Sequence, residues 1–187
     1  MALRAREQQK QYTAEDVYQL SLQGLHYELL QGELIEVAPT KQTHGAVTGE
    51  ILRQVANFVR ERKLGAVYAA ETGFVSSTGD VLAPEMSFTV KGHIEPEKEG
   101  FTTVAPDLAV EIFSPNNKRV EIQEKVEAYF AAGVRQVWIV YARSRTVYVY
   151  SAADKVVIRR QDDLIEGADV LPGFTLKVSD IFSVLDE

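Results

Sequence analysis

The sequence predicts a single α/β (α+β) domain in which a mixed β-sheet is flanked by helices. From about residue 43 to 142, helical and strand patterns follow one another in the order α-β-β-β-α-β. The chain has 187 residues, of which 45% are hydrophobic, so it is long enough for one domain with a sizeable core. This order is typical of a small mixed sheet with one helix on each side.

The N-terminal half is predicted to contain a capped helix, a hairpin and a long amphipathic helix. Thr13-Ala-Glu-Asp16 has the pattern of a capping box, which begins a short helix. Gln31-Gly32 is typical of a two-residue hairpin turn. Apolar residues recur at helical spacing from Thr43 to Lys63, and Gly65 is placed to end that helix. The first helix is expected to reach about Leu22, and the hairpin strands are His26–Leu30 and Glu33–Val37.

The C-terminal half is predicted to combine strands with one further long helix. Ser114-Pro-Asn-Asn117 offers an asparagine as N-cap for a helix from about Lys118 to Ala132, which stops at Gly133. The charged segment His93–Ala105 predicts a loop. The runs predicted as strands, which include a C-terminal β meander, are Ala66–Val75, Val81–Val90, Asp107–Phe113, Gln136–Tyr141, Thr146–Tyr150 and Lys155–Arg160, and a final helical turn is expected at Ser179–Leu185.

Composition and charge narrow the classes of function. The absence of cysteine excludes disulfides, thiolate zinc sites and cysteine nucleophiles. No apolar run approaches the roughly 20 residues of a membrane-spanning helix, and the first residues lack the apolar segment of a secretory signal, so we expect a cytoplasmic protein with no membrane partner. We expect residues 1–12 to be flexible and residues 13–187 to form one domain. The net charge of −7 means that nucleic-acid binding needs a local basic face or an oligomer.

Two glutamates on the predicted middle strands form a candidate site. If these strands pair antiparallel around a loop near Lys98, Glu85 falls opposite Glu111, with Cβ atoms about 4.5–5.5 Å apart. Two carboxylates so placed repel each other unless a positive charge lies between them. Asp107 lies roughly 13 Å along the strand from Glu111, too far to share Mg²⁺ with it, and is interpreted as a residue that bonds nearby backbone. A solvated face is the alternative for the two glutamates.

Lys125 is the third candidate residue. It lies on the flank of the apolar stripe predicted for the second long helix, so its side chain can reach water or the cleft over the sheet. If Lys125 has a functional role, its ammonium orients an attacking water and offsets charge on a phosphate. An ordinary surface lysine is the alternative. Ile122, Val126 and Phe130 form the predicted stripe.

Several segments resemble one known family. They are Ala105–Pro115 (APDLAVEIFSP), Glu124-Lys125 through Tyr129, Ala132-Gly133-Val134 and Val137–Val140, together with Tyr27–Leu34 (YELLQGEL), His44 and Leu171–Phe174. These segments resemble the large prokaryotic family of restriction-endonuclease-like proteins within the PD-(D/E)xK nuclease superfamily, over about residues 13–185. The resemblance implies an αβββαβ core and Mg²⁺- or Mn²⁺-dependent cleavage of nucleic acid, with DNA the expected substrate.

The resemblance also implies roles for individual residues. Glu111 matches the acidic residue of the (D/E)xK half-motif, and the lysine usually found two residues later is Phe113 here, its role having moved to Lys125. Pro84-Glu85 occupies the PD position, where an aspartate is expected, and the extra methylene lengthens the reach by ~1.5 Å. Glu85, Glu111 and the carbonyl of Ile112 are the implied metal ligands.

Two further residues match the family pattern, and each has a simpler alternative. Glu33 lies on the second hairpin strand, where a solvent-facing residue is also common. His44 lies at the start of the long helix, where a cap or a core contact would explain it equally. Both remain candidates for the site.

Three functions fit these patterns. The first is a Mg²⁺-dependent endonuclease, and the second is a catalytically degenerate nuclease fold that acts as a nucleic-acid or protein binding module. The third is a structural or regulatory oligomer, which the negative charge and the aromatic meander Val147–Tyr150 favour, since that meander could pair with a second copy. We expect a homodimer, which could line a groove with Lys118, Arg119, Arg143 and Arg145.

Overall fold

The structure is a computed structural model that describes residues 11–96, 99–113 and 119–186, with backbone alone at 119–121. The predicted flexible N-terminus falls largely on residues 1–10, and the predicted start of the second long helix on residues 114–118, both outside the described residues. The helices are α1 Ala14–Ser21, α2 Gln42–Arg62, α3 Arg119–Ala132 and α4 Val178–Phe182. The strands are β1 Tyr27–Leu30, β2 Glu33–Glu36, β3 Gly65–Ala69, β4 Phe74–Val75, β5 Val81–Leu82, β6 Met86–Val90, β7 Leu108–Phe113, β8 Gln136–Tyr141, β9 Thr146–Ala152, β10 Lys155–Arg159, β11 Leu164–Glu166 and β12 Thr175–Lys177.

The main sheet has six strands in the order β10-β9-β8-β7-β6-β3. Strands β7 and β8 are parallel, with α3 between them in the chain, and every other neighbouring pair is antiparallel. Through this sheet the chain runs α2-β3-β6-β7-α3-β8, which confirms the predicted αβββαβ order and mixed sheet. A second sheet has the order β2-β1-β5-β4, and β11 pairs with β12.

Each face of the main sheet is covered by one long helix. Helix α2 buries a stripe spaced four residues apart against one face, together with α4 and β12. Helix α3 packs on the other face, beside residues of β4 and β5. The alternation of side chains along β7 separates the two layers, because neighbouring residues of a strand point to opposite faces. The α2 stripe is Val47, Ile51, Val55 and Val59, all buried.

The N-terminal hairpin and its helix confirm the local sequence signals. The Thr13 side chain accepts a hydrogen bond from the Asp16 backbone, and the Asp16 carboxylate accepts from the Thr13 backbone, which completes the capping box. Gln31 and Gly32 both have positive φ, at 52° and 82°, as a primed two-residue turn requires.

The prediction that Gly65 ends α2 is wrong. The helix ends at Arg62, and its C-cap residue Lys63 adopts the left-handed conformation with φ of 55°. Gly65 instead opens β3, where a Cβ would lie 2.0 Å from the Thr89 carbonyl oxygen. The glycine therefore allows β3 to approach β6 closely, rather than turning the chain out of the helix.

Two predicted strands are each divided between the two sheets. Residues 66–75 split into β3 and β4, because the chain turns at 70–73, where Glu71 has φ of 68°. Residues 81–90 split into β5 and β6 around Ala83-Pro84-Glu85. Proline has no backbone N–H for the strand ladder, and the N–H of Ala83 bonds a side chain, so pairing cannot continue there.

The meander segment that was expected to pair with a second copy is not an edge strand. Strand β9, which contains Val147–Tyr150, lies inside the sheet between β8 and β10. The exposed edge is β10, where Val156, Val157 and Ile158 are 41%, 47% and 38% exposed. The aromatic residues of β9 wrongly indicated an edge strand, because hydrophobic content alone does not distinguish an inner strand from an edge strand.

Candidate functional site

Lys125 lies between two carboxylates on the α3 face of the main sheet. Its Nζ is 2.8 Å from Oε2 of Glu28 on β1 and 2.7 Å from Oε1 of Glu111 on β7. The three side chains are 23%, 7% and 15% exposed, respectively. The structure thus brings two of the predicted site residues, Glu111 and Lys125, into direct contact, and it adds a carboxylate from the N-terminal hairpin.

Tyr129 holds the same oxygen of Glu111. Its hydroxyl donates a short hydrogen bond to Oε1, and its ring lies fully buried one turn after Lys125 on α3. Tyr129, rather than the predicted Phe130, is the fully buried aromatic of this helix. Burial raises the pKa of Tyr129, and the nearby charges of Glu111 and Glu28 raise it further. The phenol therefore remains a hydrogen-bond donor.

In the Lys125 cluster, formed by Glu28, Glu111 and Lys125, two carboxyl groups contact one ammonium. Burial raises the pKa of Glu111, and the charge of Glu28 adds to that rise, against the lowering effect of Lys125. For Lys125, burial lowers the pKa, but the charges of Glu111 and Glu28 outweigh it and hold the pKa above its ordinary value. The ammonium stays charged, yet one positive charge does not fully offset the cost of burying Glu111.

Glu85 lies beside this cluster and contacts a different residue. Strand β6 pairs with β7 so that Met86 faces Val110, and continuing that register by one residue places Glu85 opposite Glu111, as predicted. Its Oε1, however, lies 2.8 Å from Nε2 of His44 in the first turn of α2. This contact lacks hydrogen-bond alignment, and within the described part of the chain Nε2 has no hydrogen-bond partner. Glu85 is still close enough to raise the pKa of Tyr129.

A cavity of about 580 Å³ opens above the Lys125 cluster. Ile112 lines it next to Glu111, and the exposed Glu33 of β2 lines its hairpin side. The cavity does not reach Glu85 or His44: Glu85 lines a separate one. The predicted residues thus form two neighbouring groups, Glu111 with Lys125 and Glu85 with His44, and Glu33 lies at the rim.

Asp107 has a structural environment of its own. It is 2% exposed, and its Oδ2 accepts the N–H of Val90 at 2.8 Å, which confirms the predicted bond to nearby backbone. Arg135 and His93 lie 3.3 and 3.2 Å from its carboxylate. His93 thus contacts a buried carboxylate while remaining half exposed.

Glu28 is the residue that sequence reasoning missed. It lies in the resembling segment Tyr27–Leu34, but no role was assigned to it. The available signal was a single charge inside a short, otherwise apolar strand, Tyr27-Glu-Leu-Leu30, of which Glu28, Leu29 and Leu30 are buried. A carboxylate buried in a strand needs partners from elsewhere in the fold, and its partners are 55 and 97 residues away.

The donor chemistry of these residues fits a hard divalent cation. Carboxylate and carbonyl oxygens are the ligands that Mg²⁺ prefers. Oε2 of Glu111 has no partner among the described residues, and the carboxylates outnumber Lys125. Among the residues described, no three His, Asp or Glu side chains are grouped as a metal centre. The predicted metal ligands are only two carboxylates and one backbone carbonyl. The prediction therefore does not require a group of three His, Asp or Glu side chains.

The comparisons with known proteins agree with this fold. A solved structure of a "putative nuclease belonging to DUF820" from Anabaena variabilis ATCC 29413 superposes with a TM-score of 0.82, covering 93% of this chain and 99% of that chain. The two sequences are 20% identical, so this likeness shows the fold alone. No curated protein sequence matches the chain significantly. Within the described residues, no helix is long and apolar enough to cross a membrane.

The sequence itself matches one family model over most of its length. Residues 14–179 match the model of the Uma2 family, described as "putative restriction endonuclease". This match includes the hairpin with Glu28, both middle strands and helix α3 with Lys125. The chain therefore belongs to the Uma2 family of restriction-endonuclease-like proteins and has the nuclease-like fold of that family.

Proposed function

We propose that the protein is a Mg²⁺- or Mn²⁺-dependent endonuclease that hydrolyses phosphodiester bonds of nucleic acid, with DNA the expected substrate. The observation that carries this proposal is Lys125, an ammonium held between two largely buried carboxylates at an open cavity. Lysines without a functional role more commonly extend into solvent at the protein surface. A charged group held at a cleft by buried partners is typical of a functional site.

Each residue has a role in the proposed reaction. Glu111 and Glu85, with the Ile112 carbonyl, would hold the cation, which supplies charge neutralisation at the phosphate and acidifies a bound water. Lys125 positions the attacking water and donates toward the phosphate oxygen as negative charge develops. Tyr129 fixes the Glu111 side chain through Oε1, which would leave Oε2 available to bind the cation. Because the pKa of Lys125 is raised, the lysine acts as a charged donor and not as a base.

The test of this proposal is cleavage of supercoiled plasmid DNA with Mn²⁺, Mg²⁺ or EDTA. Metal-dependent nicking by the wild type, absent from Glu111→Ala, supports it. A parallel assay with single-stranded RNA separates DNA from RNA preference. A wild type that neither cleaves nor binds the metal would reject the endonuclease.

A degenerate nuclease that only binds a nucleic acid or a protein is the second candidate. The contact between Glu85 and His44 favours it, because an engaged carboxylate with an extra methylene is a poorer metal ligand than the expected aspartate. A fold without cleavage would retain binding that does not depend on metal. Gel-shift experiments in EDTA distinguish this candidate from the endonuclease.

We also propose that the protein acts as a homodimer. A monomer of net charge −7 binds nucleic acid poorly, whereas a dimer can bring the basic residues of two copies to one groove. The exposed apolar edge of β10 supports self-association, because such edges readily pair with another strand. Of the residues expected in the groove, Arg143 is exposed, whereas Arg145 is paired with Asp186. Lys118 and the side chain of Arg119 lie outside the described residues.

A further inference from the structure

Glu28 connects three separate parts of the site. Its Oε1 accepts the backbone N–H of Ala83 at 2.7 Å, and its Oε2 accepts a hydrogen bond from Lys125 Nζ at 2.8 Å. The residue is 6% exposed on β1, in the sheet that also contains β5. One carboxylate therefore links the N-terminal hairpin, the turn between β5 and β6, and helix α3.

The bond to Ala83 affects where Glu85 lies. Ala83 is followed by Pro84, whose ring fixes its backbone φ angle near −65° and restricts the residue before it. Little freedom thus remains between the anchored N–H and Glu85, two residues later. The hydrogen bond also satisfies an N–H that has left the strand ladder at the split between β5 and β6.

The bond to Lys125 affects where the ammonium lies. A lysine side chain has four rotatable bonds and loses considerable rotamer freedom when it is fixed. With Glu111 alone, the ammonium could turn about a single partner. Glu28 supplies a second, more deeply buried partner, so that the ammonium is held by two carboxylates at a defined position.

The distribution of partners separates Glu28 from the proposed metal ligands. Both oxygens of Glu28 are already bonded to groups of this chain. Glu111 and Glu85 each have one oxygen without a partner among the described residues. A ligand needs a free oxygen, whereas a residue that orients others needs its oxygens occupied.

We propose that Glu28 is a positioning residue of the site, which places the Lys125 ammonium and the Pro84-Glu85 turn but does not hold the metal. This inference rests on the proposed nuclease function. It predicts that Glu28 acts on the reaction through Lys125. Glu28→Gln should therefore lower the turnover rate and spare the affinity for the ion, because the glutamine oxygen can still accept the Ala83 N–H that anchors the Glu85 turn, whereas the amide nitrogen cannot accept a hydrogen bond from Lys125.

The experiment compares Glu28→Gln with Lys125→Met, the double variant, and Asp80→Asn. Asp80 is the matched control, since it is another buried carboxylate that accepts a backbone N–H, that of Gln31, but it has no contact with Lys125. Glu28→Gln should lower kcat by about 10–100-fold and leave KM and Mn²⁺ affinity nearly unchanged. The double variant should be no slower than Lys125→Met, because both changes remove one function.

Three outcomes would overturn the proposal. Glu28→Gln could keep wild-type kcat, lose Mn²⁺ affinity as completely as Glu111→Ala, or lower kcat by a factor that multiplies with that of Lys125→Met. The second outcome would make Glu28 a ligand. If Glu28→Gln does not fold, Glu28→Asp replaces it, since the shorter carboxylate keeps the charge but cannot reach both partners. It should give an intermediate kcat and retain the Mn²⁺ binding that Glu111→Ala loses.

A spectroscopic measurement keeps this test independent of activity. A fixed lysine ammonium exchanges its protons slowly enough for its ¹⁵N signal to be observed, so Lys125 should give a signal in the wild type and Asp80→Asn. Glu28→Gln should broaden or abolish it. An unchanged signal would reject the positioning role even in an active enzyme. A wild type with the signal but no metal binding or cleavage would reject the nuclease function instead.

Discussion

Glu111 is the carboxylate on which the contacts of the site converge. Lys125 and Tyr129 both bond its Oε1, while burial and the charge of Glu28 raise its pKa. A shift of one pKa unit corresponds to about 1.4 kcal/mol, so a carboxylate of this kind gains from any further positive charge placed beside it. At the scale of single residues, this electrostatic environment supports the proposed cation site.

The first prediction concerns the two proposed metal ligands. Mn²⁺ should raise the melting temperature of the wild type but not that of Glu111→Ala, because this variant lacks a proposed ligand with a free oxygen. Glu85→Asp should keep or increase the rise in melting temperature with Mn²⁺, since the family resemblance places an aspartate at this position. At an ion concentration 100 times the Kd, the stabilisation of a binding-competent protein is about 2.7 kcal/mol. Differential scanning fluorimetry over a Mn²⁺ titration measures it, and an unchanged rise in Glu111→Ala would exclude this residue as a ligand.

The second prediction is a pH dependence caused by Lys125. A pKa raised in the folded state means that folding binds this proton more tightly than the unfolded chain does. The resulting stability is fully present below the ordinary lysine pKa of 10.5 and is lost as pH rises above it. The difference in melting temperature between wild type and Lys125→Met should thus be constant from pH 8 to 10 and shrink at higher pH. A difference that grows above pH 10.5 would contradict the raised pKa.

At the scale of elements, the site depends on how closely strands and helices approach. Strand β3 reaches β6 through Gly65, and helix α3 places Lys125 and Tyr129 one turn apart over β7. The hairpin β1–β2 and the turn before β6 supply the remaining groups. None of these elements contains the site alone, so a shift of one element changes its geometry.

The third prediction tests the close approach of β3 and β6. Gly65→Ala should destabilise the fold by about 1–3 kcal/mol or more, because its Cβ would lie 2.0 Å from the Thr89 carbonyl oxygen and 2.9 Å from the Lys91 nitrogen. Gly49→Ala is the control, since Gly49 lies in α2 with no atom within 4 Å of a Cβ, and alanine favours the helix by about 0.5–1 kcal/mol. Urea denaturation measures both, and equal stabilities would contradict the packing described.

At the scale of the whole molecule, charge and edges determine which partners can bind. The chain is acidic overall, yet the exposed strand β10 is apolar and carries Lys155 and Arg159 at its ends. An apolar edge of this kind favours strand pairing, and a dimer formed there would extend the six-stranded sheet.

The fourth prediction concerns that edge. The wild type should sediment as a dimer at micromolar concentration, and Val157→Glu should shift it to monomer, because the new charge would be buried in the pairing. Leu22→Glu is the control, since Leu22 is 64% exposed at the end of α1 and belongs to no strand of the main sheet. Sedimentation velocity of the three proteins provides the measurement. A monomeric wild type would reject the dimer, and a dimeric Val157→Glu would place the interface elsewhere.

Signals that act within a few residues were sufficient to predict most elements. The capping box at Thr13, the Gln31-Gly32 turn, the end of α3 at Gly133 and the bounds of β8 follow from local backbone preferences and periodicity. The family resemblance indicated Glu111 and Lys125, which the fold brings into contact. Local signals failed at residues 66–75 and 81–90, where one predicted strand divides into two strands that belong to different sheets. An extended sequence pattern does not show which sheet a strand joins.

The tertiary structure decided which groups meet. Glu28 joins the site only because β1 lies beside the turn at Ala83 and below α3, contacts that span 55 and 97 residues. Glu85 faces Glu111 in register, as predicted, but its carboxylate contacts His44 of α2, a helix that no strand pattern could place. The sequence by itself determined the order of elements in the αβββαβ core and two of the three groups of the Lys125 cluster, Glu111 and Lys125. The third group required packing, because hydrogen bonds between distant segments depend on how complete layers are arranged and leave no periodic trace in the chain.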